Sequence, residues 1–304
     1  MAVNPSSPGR RPIVVGVDGS PESRAALEWA AQEAVLRARP LHLTHVFLWL
    51  VTSVPSLSPI DTGQWQNAGA LLTEARRHVN ALNPELDVTT SLRLGRVASS
   101  LIRMGHEAAL IVVGHRGHGG FAGLDLGSVA VQVSAHAPCP VAVVRRAEVE
   151  PGGRVVVGVD VAGGSEPALE FAFEEASLRG CGLTAVHAWT VPAGAGEQLP
   201  AVYDVDAMNS NEERVLAELL ASWQEKYPDV DVHRVVRHDM APKVLIDAAA
   251  RAQLAVVGSR GHGGFMGLLL GSVSQALLHH ASCPVVVVRQ TAAAAASSGR
   301  DSNA

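Results

Sequence analysis

Ile111-Val112-Val113-Gly114-His115-Arg116-Gly117 and, 144 residues later, Ala255-Val256-Val257-Gly258-Ser259-Arg260-Gly261 decide the fold. In each copy a short apolar run leads into a glycine-spaced loop, and after nine intervening residues the second glycine is followed by Gly127-Ser128 or Gly271-Ser272. The apolar run has the length of a buried strand, and the stretch after the last glycine is compatible with a helix. A loop that hands a buried strand over to a helix N-terminus presents unpaired backbone N–H groups and the positive end of a helix dipole, which is where proteins hold phosphate. Two copies imply two equivalent ligand sites.

Aligning Val112 to Arg145 with Val256 to Arg289 needs no gap and gives 23 identities in 34 positions. Divergence is concentrated in the helix after the loop rather than in the loop. Working outward, apolar runs recur at Ile13 to Val17, Leu41 to Trp49, Val88 to Leu94, Leu110 to Val113 and Val141 to Val144. The same order returns at Val155 to Val159, Leu183 to Trp189, Val232 to Val236, Leu254 to Val257 and Val285 to Val288. Strands alternating with segments of helical periodicity predict an α/β fold, with two tandem Rossmann-like domains, each a five-stranded parallel sheet with helices on both faces.

The 304 residues suit two domains of about 150 each. We expect tails at 1–10 and 291–304, domains at 11–146 and 154–290, and a linker at 147–153 marked by Pro151-Gly152-Gly153. The tails lack a periodic apolar face and read as disordered. Ser20 before Pro21 is the expected cap of a first helix whose Leu27, Ala30, Ala31, Ala34 and Val35 share one face, and Ser165 before Glu166-Pro167 is read as the same device. Longer helices are expected over about Trp65 to Leu82 and Ala207 to Tyr227, ended with the help of Pro84 and Pro228, and third helices from about Arg96 and Pro242.

Hydrophobic residues make up 47% of the chain against 17% charged, and the net charge of −5 with interspersed signs offers no basic stripe for nucleic acid. Met1 to Arg11 has two arginines but no following apolar core, so no secretory signal is expected. Leu41 to Ile60 contains His42, His45 and two prolines and reads as a strand running into a loop, not a membrane span. Three cysteines cannot all pair; Cys139 and Cys283, each before a proline at equivalent repeat positions, read as buried structural thiols, which fits the cytoplasm.

Gly114-x2-Gly117 and Gly258-x2-Gly261 suit a backbone that must approach a ligand closely; the alternative is a connection whose glycines serve packing alone. Asp18 and Asp160 each end the first strand of a half. If the first and fourth strands are neighbours, the crevice at their carboxyl ends has an aspartate on one wall and the glycine loop on the other, where the carboxylate could accept from an adenine amine or a ribose hydroxyl. The competing role is an Asx turn into the following helix. Arg116 and Arg260 are the cationic side chains of the loops and suit phosphate oxygens. His118 and His262 read as loop surface or phosphate-side donors, and His45 and His187 as satisfied core histidines. The histidines of the loops lack clustered carboxylate or thiolate partners, so no metal site is read.

These features resemble a tandem universal stress protein of the ATP-binding type, whose G-x2-G-x9-G-[ST] signature is met in both halves over residues 12–146 and 154–290. The resemblance implies strand order 3-2-1-4-5 and one ATP per domain, with or without Mg2+. It implies a first site of Gly16, Asp18, Val46, Gly114, His115, Arg116, Gly117, His118, Gly119, Gly120, Gly127, Ser128 and Val129. The second would be Gly158, Asp160, Ala188, Gly258, Ser259, Arg260, Gly261, His262, Gly263, Gly264, Gly271, Ser272 and Val273. It also implies an internal pseudo-dimer through Pro140 to Arg145 and Pro284 to Arg289, with a homodimer as a further option, and a stress-response role in which nucleotide occupancy alters the choice of an unknown protein partner. Asp125 stands where the second repeat has Leu269, and a carboxylate near phosphates weakens binding or calls for a metal. No lysine occurs in either loop, so the phosphate contact of a P-loop NTPase is missing and binding without turnover is expected. Gly16-Val17-Asp18-Gly19 lacks the dinucleotide-binding spacing, and the His115-x-Gly117-His118 pattern of nucleotidylyl transferases follows the wrong strand and is not repeated. A slow ATP hydrolase or phosphotransferase and a nucleotide-free scaffold are the rival expectations.

Overall fold

The structure is a computed structural model that describes residues 10–47, 62–118, 125–145, 152–190, 204–261 and 270–289. It divides into two units, Met1–Arg146 and Ala147–Ala304. The expected tails lie outside the described residues apart from Arg10.

The first unit runs β1 (Ile13–Gly16), α1 (Pro21–Leu36), β2 (Leu41–Phe47), α2 (Thr62–Leu82), β3 (Val88–Leu94), α3 (Val97–Met104), β4 (Leu110–Gly114), α4 (Ser128–His136) and β5 (Val141–Val144). Its strands are parallel in the order β3-β2-β1-β4-β5. The second unit runs β6 (Val155–Gly158), α5 (Glu166–Arg179), β7 (Leu183–Trp189), α6 (Val205–Lys226), β8 (Val232–His238), α7 (Ala241–Ala249), β9 (Leu254–Gly258), α8 (Ser272–His280) and β10 (Val285–Val288). Its order, β8-β7-β6-β9-β10, is the same topology. The fold is the α/β one expected, with the order 3-2-1-4-5 in each unit.

The central strands are buried on both faces: Ile13, Val14 and Val15 of β1 and Leu110 to Val113 of β4 are all within the core. Such strands read as unbroken apolar runs because no residue in them faces water. Helix α1 buries Leu27, Ala30, Ala31 and Ala34 against β1 and β4. Val35, expected on the same face, is 52% exposed: the stripe ends with Ala34, and Val35 turns outward in the last turn of the helix.

The helix starts also differ from those expected. Ser20 caps α1 by accepting from Ser23 N at 3.1 Å. Ser165 makes no such bond; its hydroxyl accepts from Asp160 N at 2.8 Å. Ser23 receives Asp18 N in the same way at 3.0 Å. Each serine stands five residues beyond its aspartate, so Ser165 is the counterpart of Ser23, and Ala162 takes the place of Ser20. Helix α6 begins two residues before the expected start because Asp204 caps it, accepting from Asp206 N and Ala207 N at 3.1 and 3.0 Å.

Candidate functional site

In an open parallel sheet the crevice outside the strand ends falls where the strand order reverses, here between β1 and β4. In the first unit that crevice holds a cavity of about 320 Å³, within the range of small-molecule sites. Of the site residues that the sequence nominated there, Gly16, Asp18, Val46, Gly114, Arg116, Gly117, His118, Gly127, Ser128 and Val129 line it. Gly119 and Gly120 lie outside the described residues.

His115 does not line it. Its backbone closes the loop instead: its N–H donates to Val144 O at 2.9 Å, and its carbonyl accepts from Gly127 N at 2.7 Å. Burial, and then the positive charge of Arg145, push the His115 imidazole below its ordinary pKa. In the second unit Ser259 plays the same backbone part, donating to Val288 O and accepting from Gly271 N, each at 2.8 Å. Loop closure thus tolerates either side chain, because the bonds are made by the main chain.

Asp18 ties the two walls together. Its Oδ1 accepts from Ser20 N at 2.9 Å and from Ser20 Oγ at 2.6 Å, while its Oδ2 accepts from His118 N at 3.1 Å. The Asx turn is therefore present, but it is not the only role of this carboxylate, since one oxygen reaches the glycine loop. That oxygen explains Gly117: a Cβ there would collide with Asp18 Oδ2. In the second unit a Cβ on Gly261 would come within 2.9 Å of Asp160 Oδ2, and Asp160 Oδ1 accepts from Ala162 N at 3.1 Å.

Helix α4 opens on Gly127 and α8 on Gly271, each with extended backbone and no side-chain cap. The N–H groups of a first helical turn have no partner within the helix. Ser128, Val129 and Ala130 of α4 line the cavity, so this turn faces it. Arg116 also lines it, but its Nη2 donates to Asp125 Oδ1 at 2.8 Å.

The sequence missed the opposite wall: Thr44 and His45 on β2, Val97 and Leu101 on α3, together with Val17, Ser23, Val113 and Ala130. The four-residue spacing of Val97 and Leu101 puts them on one face of a short apolar helix, but nothing along the chain tells that this face meets the cavity. His45 is satisfied as expected, its Nδ1 donating to Val17 O at 2.6 Å, and it lines the cavity as well. His187 repeats the bond to Val159 O at 3.0 Å, and its Nε2 faces Glu212 Oε2 at 3.4 Å.

The second unit brings matching residues to matching strand ends. Gly158 closes β6, with Asp160 two residues on; Ala188 pairs with Arg237 near the end of β7; Gly258 closes β9. Ser259, Arg260 and Gly261 follow β9, and Ser272 and Val273 open α8 from Gly271. His262, Gly263 and Gly264 lie outside the described residues. Among the described residues no three histidine, cysteine or acidic side chains converge as metal ligands, and no helix is long and apolar enough to cross a membrane.

A family model described as the Universal stress protein family matches residues 9–145 and 153–289. Over 293 residues the chain is 42% identical to Universal stress protein Rv2005c of Mycobacterium tuberculosis, covering 92% of this chain and 97% of that one. A universal stress protein of Mycolicibacterium smegmatis is 40% identical over 286 residues, with 91% and 96% covered. Among solved structures, a universal stress protein from Archaeoglobus fulgidus superimposes with a TM-score of 0.68 at 20% identity, covering 92% of this chain and 97% of its own. At that identity the likeness concerns the fold.

Proposed function

The chain belongs to the universal stress protein family and carries two of its domains in tandem, and from that premise we propose that each domain binds one ATP and that occupancy regulates a stress response. The observation that carries the reading is the meeting, in one cavity of the first unit, of an uncapped glycine-started helix with a strand end bearing Asp18. A phosphate beside Gly127 and Ser128 would satisfy the open N–H groups and gain about 0.3 to 1 kcal/mol from the helix end. ATP would bring the phosphate charge and an adenosine body.

The remaining parts are supplied by the chain. Gly16, Val46, Val97 and Leu101 form an apolar wall suited to a base. Asp18 Oδ2 accepts one N–H and keeps a lone pair for a ribose hydroxyl or an adenine amine. Arg116 and Arg260 serve the phosphates. Mg2+, where present, would be held chiefly by those phosphates, since no protein cluster offers itself among the described residues. Neither loop contains a lysine, which favours holding ATP over cleaving it. Three free cysteines, with Cys139 and Cys283 buried, suit a reducing compartment, and we assign the protein to the cytoplasm.

The test is to denature freshly purified protein and quantify released nucleotide. Gly127→Asp and Gly271→Asp each install a good helix cap whose carboxylate occupies the place of the phosphate. About two ATP in the parent, with about one in each variant, is the expected result. No nucleotide, and no uptake on adding ATP with Mg2+, would leave the scaffold reading; steady release of ADP would point to the hydrolase.

A further inference from the structure

The two glycine loops differ in charge at one position. In the first unit Asp125 pairs with Arg116 at 2.8 Å, and Arg116 lines the cavity. Burial holds Arg145, which follows β5, below its ordinary pKa, while Asp125 favours its charged form and Arg116 opposes it. Among the described residues, the one arginine or lysine of the cavity lining, Arg116, is therefore paired with a carboxylate, and a second cation, Arg145, lies within electrostatic reach of the pair. The gapless repeat alignment puts Arg260 and Arg289 at the positions of Arg116 and Arg145, but Leu269 at that of Asp125. The second loop has the same two cations without the carboxylate at that position.

Resting on the nucleotide reading above, we propose that Asp125 is a specificity-determining residue that lowers the first site's preference for ATP over nucleotides with fewer phosphate charges, so that the adenosine monophosphate class competes there, while the second site keeps its full preference for the triphosphate. The partners of the pair are 40% and 67% exposed, so the pair is a weak lock and does not shut the cavity. What persists when the side chains move is the charge. A carboxylate beside the phosphates repels each further phosphate group, and in a half-exposed site that repulsion acts over the Debye length of about 10 Å at 0.1 M salt. The penalty grows from a monophosphate to a triphosphate and leaves the adenosine contacts untouched.

The experiment uses the full chain with the second site closed by Gly271→Asp, and measures ATP and AMP affinity by calorimetry in EDTA, so that the triphosphate keeps its full charge. Asp125→Asn, at an exposed position, removes the charge without threatening the fold. We expect it to raise ATP affinity roughly three- to tenfold and AMP affinity by less than about twofold, with the gap narrowing in high salt. An unchanged ratio of ATP to AMP affinity, with both still bound, overturns the role of Asp125 and leaves the nucleotide reading standing. Failure of both nucleotides to bind this chain, the Gly127→Asp chain and the parent overturns that reading, and the inference with it.

Discussion

Substituting Gly117 by alanine separates two explanations of the glycine loop, one in which the glycine serves only a ligand and one in which it first makes room for Asp18. The added Cβ collides with Asp18 Oδ2, so the carboxylate must rotate off His118 N and strain its bonds to Ser20 N and Ser20 Oγ. Bonds to a charged acceptor contribute about 1.5 to 3 kcal/mol when buried. Asp18 is 38% exposed, so we take about 2 kcal/mol for the set, or about 5 °C in Tm for a unit of this size. Asp18→Ala alone loses the same bonds and costs a similar amount. In the double variant the bonds are already gone and the new Cβ faces vacated space, so the double should cost no more than Asp18→Ala, a coupling of about 2 kcal/mol. Urea unfolding of the four proteins measures it. Additive costs, with coupling below about 0.5 kcal/mol, would refute the reasoning. Gly261→Ala, whose Cβ would stand 2.9 Å from Asp160 Oδ2, should be the milder of the two.

Two further outcomes follow from the titrating groups. Burial, and then the charge of Arg93, hold His42 below its ordinary pKa of 6.5 while its ring bonds Thr89 and Ser91. The unfolded chain therefore binds the proton more readily, so this contribution to stability is complete above 6.5, is lost as pH falls below it, and levels off at the folded value; Tm measured across this range should fall less steeply in His42→Gln, and an identical slope would count against it. Burial pushes Cys139 up to about 11 and Cys283 up to about 12, so an alkylating reagent near neutral pH should label half-exposed Cys181 first and the other two only on unfolding; early labelling of Cys283 would contradict the burial.

The parts of the fold legible in the sequence are those set by local solvent partition. Val141 to Val144 and Val285 to Val288 are valine-rich because both faces are covered, and their bounds could be read directly. Edge strand β8 extends to His238, beyond its apolar stretch, since Arg237 and His238 face solvent while their main chain still pairs with β7. The site divides along the same line. Its glycines and Asp18 lie at strand ends and in the loops that follow them, and their spacing survives in the linear sequence. Thr44, Val97 and Leu101 reach the cavity only through the register of β2 on β1 and the packing of α3 on β2, and no spacing along the chain encodes that. Ser165 shows the converse. Its neighbourhood looks like that of Ser20, but its distance from Asp160 makes it a counterpart of Ser23. Register from the strand end, rather than resemblance of the tripeptide, decides which backbone N–H a side chain meets, and for that reason the pairing of Asp18 with Gly117 is sharper evidence of a built site than either motif alone.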